Sequence, residues 1–159
     1  MEINKKVLHV VNISFVLPYY IGDQFDYFFN KGVYYYVACT QSSHLMEYSK
    51  QKKFTILPLN IIRKINPIVD IWSIICLWTK IKNQKIDIVI GHTPKGAMIA
   101  MVAAYLAGVK KRIYFRHGIM YETSTGLKRF LLKKIEQLTG SLSTQVVCVS
   151  NSVLQKSNE

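Results

Sequence analysis

Two short segments carry the residue types best suited to chemistry. One is His92-Thr93-Pro94-Lys95-Gly96 and the other is Arg116-His117-Gly118. Each follows directly on an apolar run, Asp87 to Gly91 and Ile113 to Phe115. An imidazole can donate or accept a hydrogen bond and can exchange a proton near neutral pH. Thr93 is a helix-capping type and Pro94 suits a first helical turn, so a helix is expected to open there. The free N–H groups of that turn, which includes Lys95 and Gly96, would receive an anion. Gly118 removes side-chain bulk beside His117 and permits unusual backbone angles, which would let a ligand approach closely. Glu122, in the loop that follows, is either a second polar contact or an exposed acid. Each histidine also has a purely structural reading, His92 as a polar residue at a helix start and His117 as the anchor of a loop. His9, inside an apolar run, and His44, in a polar segment, read as structural.

The surrounding pattern indicates what positions these segments. Continuous apolar runs read as strands buried on both faces of a parallel sheet, and such sheets bind ligands beyond the carboxyl ends of their strands. Strands are expected at Val7–Val11, Val33–Cys39, Phe54–Leu57, Ile86–Ile90, Arg112–Phe115 and Gln145–Val149. Helices are expected at Gly22–Lys31, Ser42–Lys52, from Asn66-Pro67 to about Lys82, Pro94–Ala107 and Gly126–Leu138, with another opening at Asn151. Regular alternation of strand and helix predicts a Rossmann-like, doubly wound α/β fold, a parallel sheet with helices on both faces. No internal repeat or linker is visible, so residues 1–159 are expected to form one domain.

Composition narrows the function. Twenty-one Lys and Arg against nine Asp and Glu give a formal net charge of +12 over 159 residues. The clusters include Lys5-Lys6, Lys50–Lys53, Arg63-Lys64, Lys110–Arg112, Lys128-Arg129 and Lys133-Lys134. Such a surface favours polyanions: nucleic acid, anionic lipid or phosphorylated substrates. No helix-turn-helix, RNP or zinc-finger pattern accompanies the charge, so no nucleic-acid partner is expected. The three cysteines lie far apart without metal-binding spacing, so they are expected to be reduced, buried core residues, and no metal site is expected. The apolar stretches Ile68–Ile81 and Ala97–Val109 fall short of the roughly 20 residues that span a bilayer. With no signal-peptide pattern at Met1–Lys6, a cytoplasmic location is expected, with possible peripheral contact at the inner face of the membrane. Residues Gly126–Leu138 form a basic amphipathic pattern. Leu127, Leu131, Ile135 and Leu138 share one side, as in a helix lying on anionic lipid or an ordinary surface helix. The first strand-to-helix turn, Asn12 to Gln24, has one glycine where a dinucleotide fold has GxGxxG, and no Walker motif occurs. Nicotinamide, flavin and ATP-hydrolysing enzymes are thereby disfavoured.

Taken in order, several segments resemble the N-terminal domain of family-4-type glycosyltransferases, which have the two-domain GT-B architecture. They are Lys6–Val11, Gln24, Asn30–Gly32, Asp87–Gly96, Ala104–Val109, His117-Gly118 and Val147–Ser152. The resemblance implies sugar transfer from a nucleotide-sugar donor to an acceptor, with retention of configuration and no essential metal or other cofactor. It implies His117 as the catalytic histidine facing the donor sugar. It also implies His92, Thr93, Lys95, Gly118 and Ser150 around the substrate cleft, and Gly96, Arg116 and Glu122 are expected there from their positions beside these motifs. Gly22 alone, followed by Asp23, departs from the family's paired-glycine loop and is closer to members working on surface-polysaccharide precursors. A glycan or lipid-linked acceptor is therefore expected. The nucleotide-sugar domain lies outside this chain, so the isolated chain is expected to be inactive. A stand-alone, non-catalytic Rossmann-like binding module is the alternative reading, with a nucleic-acid binder behind it.

Overall fold

The computed structural model describes residues 4–62 and 64–157; Met1–Ile3, Arg63 of the basic clusters and the last two residues lie outside them. The chain starts with β1 (Lys5–Val10), whose successive side chains enter two different cores. Leu8 and Val10 join one apolar cluster, Val7 and the following Val11 the other. This two-sided burial is why Val7, Leu8, Val10 and Val11 are all apolar, with His9 the exception, rather than apolar at alternate positions only. After it come a 3-10 turn at Ser14–Val16, α1 (Leu17–Tyr20) and α2 (Gln24–Phe29). The one helix expected at Gly22–Lys31 is thus shorter, and the segment before it is not simply loop. Gly22 has φ +50°, and a Cβ there would come within 2.8 Å of the Pro18 carbonyl, so a side chain is excluded.

Next are β2 (Val33–Cys39), α3 (Ser43–Lys52) and β3 (Thr55–Pro58). Ser42 caps α3 by accepting from the Leu45 N–H at 3.1 Å, as its type and place predict. The long α4 (Pro67–Gln84) is capped by Asn66. It crosses to β4 (Ile88–His92), α5 (Pro94–Leu106) and β5 (Lys111–Arg116). The chain continues through a 3-10 turn at Met120–Thr123, α6 (Gly126–Leu142), β6 (Gln145–Cys148) and α7 (Asn151–Ser157). Gly140 does not stop α6, which runs on to Leu142. Cys39 is buried, but Cys76 and Cys148 are only half-buried; all three are free thiols.

All six strands are parallel, in the order β3-β2-β1-β4-β5-β6. On one face, α1, α2 and α3 cover the sheet through Leu17, Phe25, Leu45 and Tyr48. On the other, α4 and α5 bury Leu77, Ile81, Ile99 and Ala103, with Leu142 of α6 beside them. Connections leave β1 toward β2 and β4 toward β5, so they diverge above the β1/β4 pair. That divergence opens a crevice at the carboxyl edge, the topological switch point of a doubly wound sheet.

Two glycines allow α5 to sit close to the sheet there. A Cβ at Gly91 would lie 2.6 Å from the Ala97 Cα, and one at Gly96 would lie 2.9 Å from Thr93 Oγ1 and 3.4 Å from the Val10 carbonyl oxygen.

Candidate functional site

At the switch point three histidines climb the sheet as a staircase. His9 of β1 is in register with Ile90 of β4, and His92, two residues further, is in register with Phe115 of β5. His117 lies two residues beyond Phe115. Residues two apart on a strand share a face, so all three imidazoles rise on the same side of the sheet, one strand over at each step. His9 Nδ1 is 2.9 Å from His92 Nε2, and His92 Nδ1 is 3.0 Å from His117 Nε2. The two inner rings are buried, His9 4% exposed and His92 1%, whereas His117 is half-buried at the crevice.

The rings stack as well as bond. Tyr20, at the end of α1, lies over His117 with ring centroids 3.5 Å apart and planes 13° from parallel. Phe115 packs on both His92 and His117, at 5.5 Å and 4.9 Å. Burial pushes the His9 pKa down to about 3. His92 is held well below its ordinary value by burial and then by the neighbouring imidazoles, and His117 is lowered by burial. The cluster is therefore neutral at pH 7, with His117 as its outward end. Among the described residues, no three His, Cys, Asp or Glu side chains are arranged to hold a metal ion.

The other expected site residues divide by position. Thr93 sits at φ +62°, ψ 147°, a backbone conformation rare for a β-branched residue. It makes no side-chain capping bond, contrary to expectation; its hydroxyl donates back to the His92 carbonyl instead. Gly96 lies against the end of β1, where the first turn of α5 meets Asn12. Asn12 Oδ1 is itself buried without a hydrogen-bond partner among the described residues. Lys95 turns away from the histidines. Its ammonium is 2.8 Å from Asp70 Oδ1 of α4 and donates to the Lys64 carbonyl, fastening α5 to α4.

Arg116 also leaves the group. It precedes His117 on a strand, so it projects to the opposite face, where its Nε is 2.7 Å from Glu136 Oε1 of α6. Tyr114 donates to the same oxygen at 2.7 Å. Burial and the Glu136 carboxylate together push the Tyr114 hydroxyl pKa upward. Gly118 does not adopt positive φ, and a Cβ there would meet nothing within 4 Å. Its contribution is open space beside His117 rather than an unusual backbone angle. Ser150 accepts from the Val153 N–H at 3.3 Å and pairs with Ser152, so it caps α7. Glu122 belongs to the turn Met120–Thr123, and its side chain lies outside the described residues.

Sequence reasoning missed Tyr20; it put His9 inside the first strand as a structural residue, where it lies buried, but did not foresee its bond to His92. Nothing in Leu17-Pro-Tyr-Tyr20 signals that the segment folds back over a strand end 97 residues further on. His9 had a signal, a polar residue at an interior position of an apolar strand. A wide concavity of about 550 Å³ lies at the amino ends of β1, β4 and β5, lined by Lys5, Asp87 and Lys111. It is at the wrong edge for a doubly wound sheet.

These features define a Rossmann-like domain with a histidine-lined crevice at its switch point. The model of Glycosyltransferase Family 4 matches residues 20–159, and the chain belongs to that family. It is 26% identical over 153 residues to the capsular polysaccharide biosynthesis glycosyltransferase CapM of Staphylococcus aureus, covering 96% of this chain and 39% of that protein. It is 28% identical over 116 residues to the Escherichia coli UDP-Gal:alpha-D-GlcNAc-diphosphoundecaprenol alpha-1,3-galactosyltransferase, covering 72% of this chain and 30% of that one. Among solved structures, MurG of Acinetobacter baumannii superposes with a TM-score of 0.63 at 16% identity, over 94% of this chain and 42% of its own. The chain therefore spans well under half the length of these relatives and has the fold of the N-terminal half of a GT-B glycosyltransferase.

Proposed function

We propose that this chain forms the acceptor-side wall of a two-domain glycosyltransferase that moves a sugar from a nucleotide-sugar to a lipid-linked or polysaccharide-precursor acceptor. The observation that carries the reading is His117, half-exposed at the switch point and backed by a neutral, fully packed cluster. A relative at 28% identity is named for transfer from UDP-galactose to a diphosphoundecaprenol-linked sugar, which supports the donor and acceptor classes.

In such a transfer, positive charge grows on the sugar and negative charge on the departing diphosphate. Positioned donors in a water-poor cleft stabilise that separation strongly. In this reading His117 hydrogen-bonds the donor sugar, the first turn of α5 offers N–H groups to an anion, and a partner domain holds the nucleotide. Transfer proceeds with retention and without an essential metal, so chelator leaves turnover unchanged and the product keeps the donor's anomeric configuration by NMR.

The net charge of +12 and the proposed lipid-linked acceptor support a location at the cytoplasmic face of a membrane. No helix among the described residues is long and apolar enough to cross one, and a peripheral contact is proposed.

The test is transfer of labelled sugar from UDP-sugars to a diphosphoundecaprenol-linked acceptor. It compares the chain alone with the chain fused to the part of the staphylococcal relative that it does not match. Transfer is expected only from the fusion. Turnover by the chain alone would overturn the two-domain reading, and a folded fusion inert with every donor would overturn the transferase reading. His117→Ala in the active fusion is expected to lower kcat about 100-fold, as loss of one transition-state donor does, with the unfolding midpoint little changed.

A further inference from the structure

His9, His92 and His117 hydrogen-bond only to one another among the described residues, through two N···N contacts. A neutral imidazole has one N–H and one bare nitrogen. Each contact needs an N–H on one side and a bare nitrogen on the other. Two arrangements of three neutral rings satisfy both contacts. Either every ring carries hydrogen on Nδ1, or every ring carries it on Nε2. Choosing the tautomer of one ring chooses all three.

The buried end breaks the tie. His9 Nε2 has no solvent contact and no hydrogen-bond partner among the described residues, and the ring is enclosed by Phe25 and Tyr35. In the second arrangement that atom is a buried N–H without an acceptor; in the first it is a bare nitrogen without a donor. Among backbone groups, orphaned buried N–H donors are rarer than under-satisfied acceptors, and the same order favours the first arrangement here. Burial of His9 and His92, the neighbouring imidazoles at His92 and the partial burial of His117 all favour neutral rings, so the two-state choice holds at pH 7.

We propose that His9, His92 and His117 act as one tautomeric unit, in which His9 and His92 are positioning residues that leave His117 with its hydrogen on Nδ1. His117 then offers a donor to an oxygen of the ligand, a hydroxyl or an oxyanion, and does not act as the base. The sugar as ligand rests on the transferase reading above; the tautomer does not.

Long-range proton–nitrogen correlation spectra of the 15N-histidine-labelled protein at pH 7.5 read the tautomer directly, because bare and protonated ring nitrogens resonate far apart. The expected result is protonated Nδ1 and bare Nε2 in all three rings. An adjacent pair in opposite tautomers, or hydrogen on Nε2 of His117, overturns the proposal without any variant. His92→Phe cuts the unit while filling its space. His117 should then shift to an exchange-averaged mixture of tautomers, and an unchanged His117 signature in the folded variant also overturns it. No donor sugar enters this experiment, so its failure is distinct from failure of the transfer assay.

Discussion

At the scale of single residues, neutral buried histidines make folding pH-dependent. His9 falls from an ordinary 6.5 to about 3 because the charged ring would lose its hydration. As pH drops below 6.5 the unfolded chain takes up a proton at this position and the folded chain does not. Stability present above 6.5 is therefore lost progressively down to the folded value, at up to about 1.4 kcal/mol per pH unit for each such group. His92 and His117 act in the same direction. The urea midpoint should fall between pH 7 and pH 5, and His9→Phe should flatten that slope; a midpoint independent of pH over this range would refute the account. The sequence showed which residues were candidates but not which way they point. Arg116 and His117 are adjacent in the chain, yet alternation along β5 sends one to α6 and the other to the crevice. Lys95, in the first turn of α5, is drawn away by Asp70, 25 residues earlier.

At the scale of elements, the site depends on helices held at fixed distance from the sheet. Glu136 anchors α6 to β5 through Arg116 and Tyr114, in a pair that is about 90% buried on both sides. Removing one partner leaves a buried charge uncompensated, so Glu136→Ala should cost about 3–5 kcal/mol by urea unfolding. A cost below about 1 kcal/mol would show that the pair is solvated. Gly91→Ala drives a methyl into the backbone of α5 and should cost about 1–3 kcal/mol. It should also reduce turnover of the fusion, since it displaces the turn that begins at Thr93. Most elements could be read from the sequence because apolar runs, caps and breakers act locally. Ser42 and Asn66 cap the helices they precede. The errors lie where tertiary packing overrides propensity, in the α1 turn, and in α6, which runs through Gly140.

At the scale of the molecule, burial on two helices runs against residue type. On α4, Asp70 and Ser73 are buried while Ile68 is 82% and Trp72 66% exposed, with Ile71, Ile75 and Trp78 along the same stripe. On α6, Leu127, Leu131 and Leu138, expected to share one side, are all exposed, and Phe130 is open beside them; Ile135 is half-buried toward α5. Both helices belong to one layer, flanking α5, with Lys128, Arg129 and Lys134 at the surface. An apolar stripe with tryptophan and a basic margin fits a lipid interface. The protein should float with vesicles containing anionic lipid, and Trp72→Ser together with Phe130→Ser should reduce the bound fraction several-fold. Equal recovery with and without anionic lipid would count against this contact.

The sequence by itself determined the alternation of strand and helix, the parallel sheet and the two histidine-bearing strand ends, because apolar periodicity and capping are local properties. It also contained enough ordered motifs to resemble its family. Only the tertiary structure decided which side chains meet. Register between β1, β4 and β5 joined His9 to His92 and His92 to His117, and the fold-back of α1 laid Tyr20 over the outermost ring. Those contacts span up to 97 positions of chain, a distance over which local residue preference carries no information.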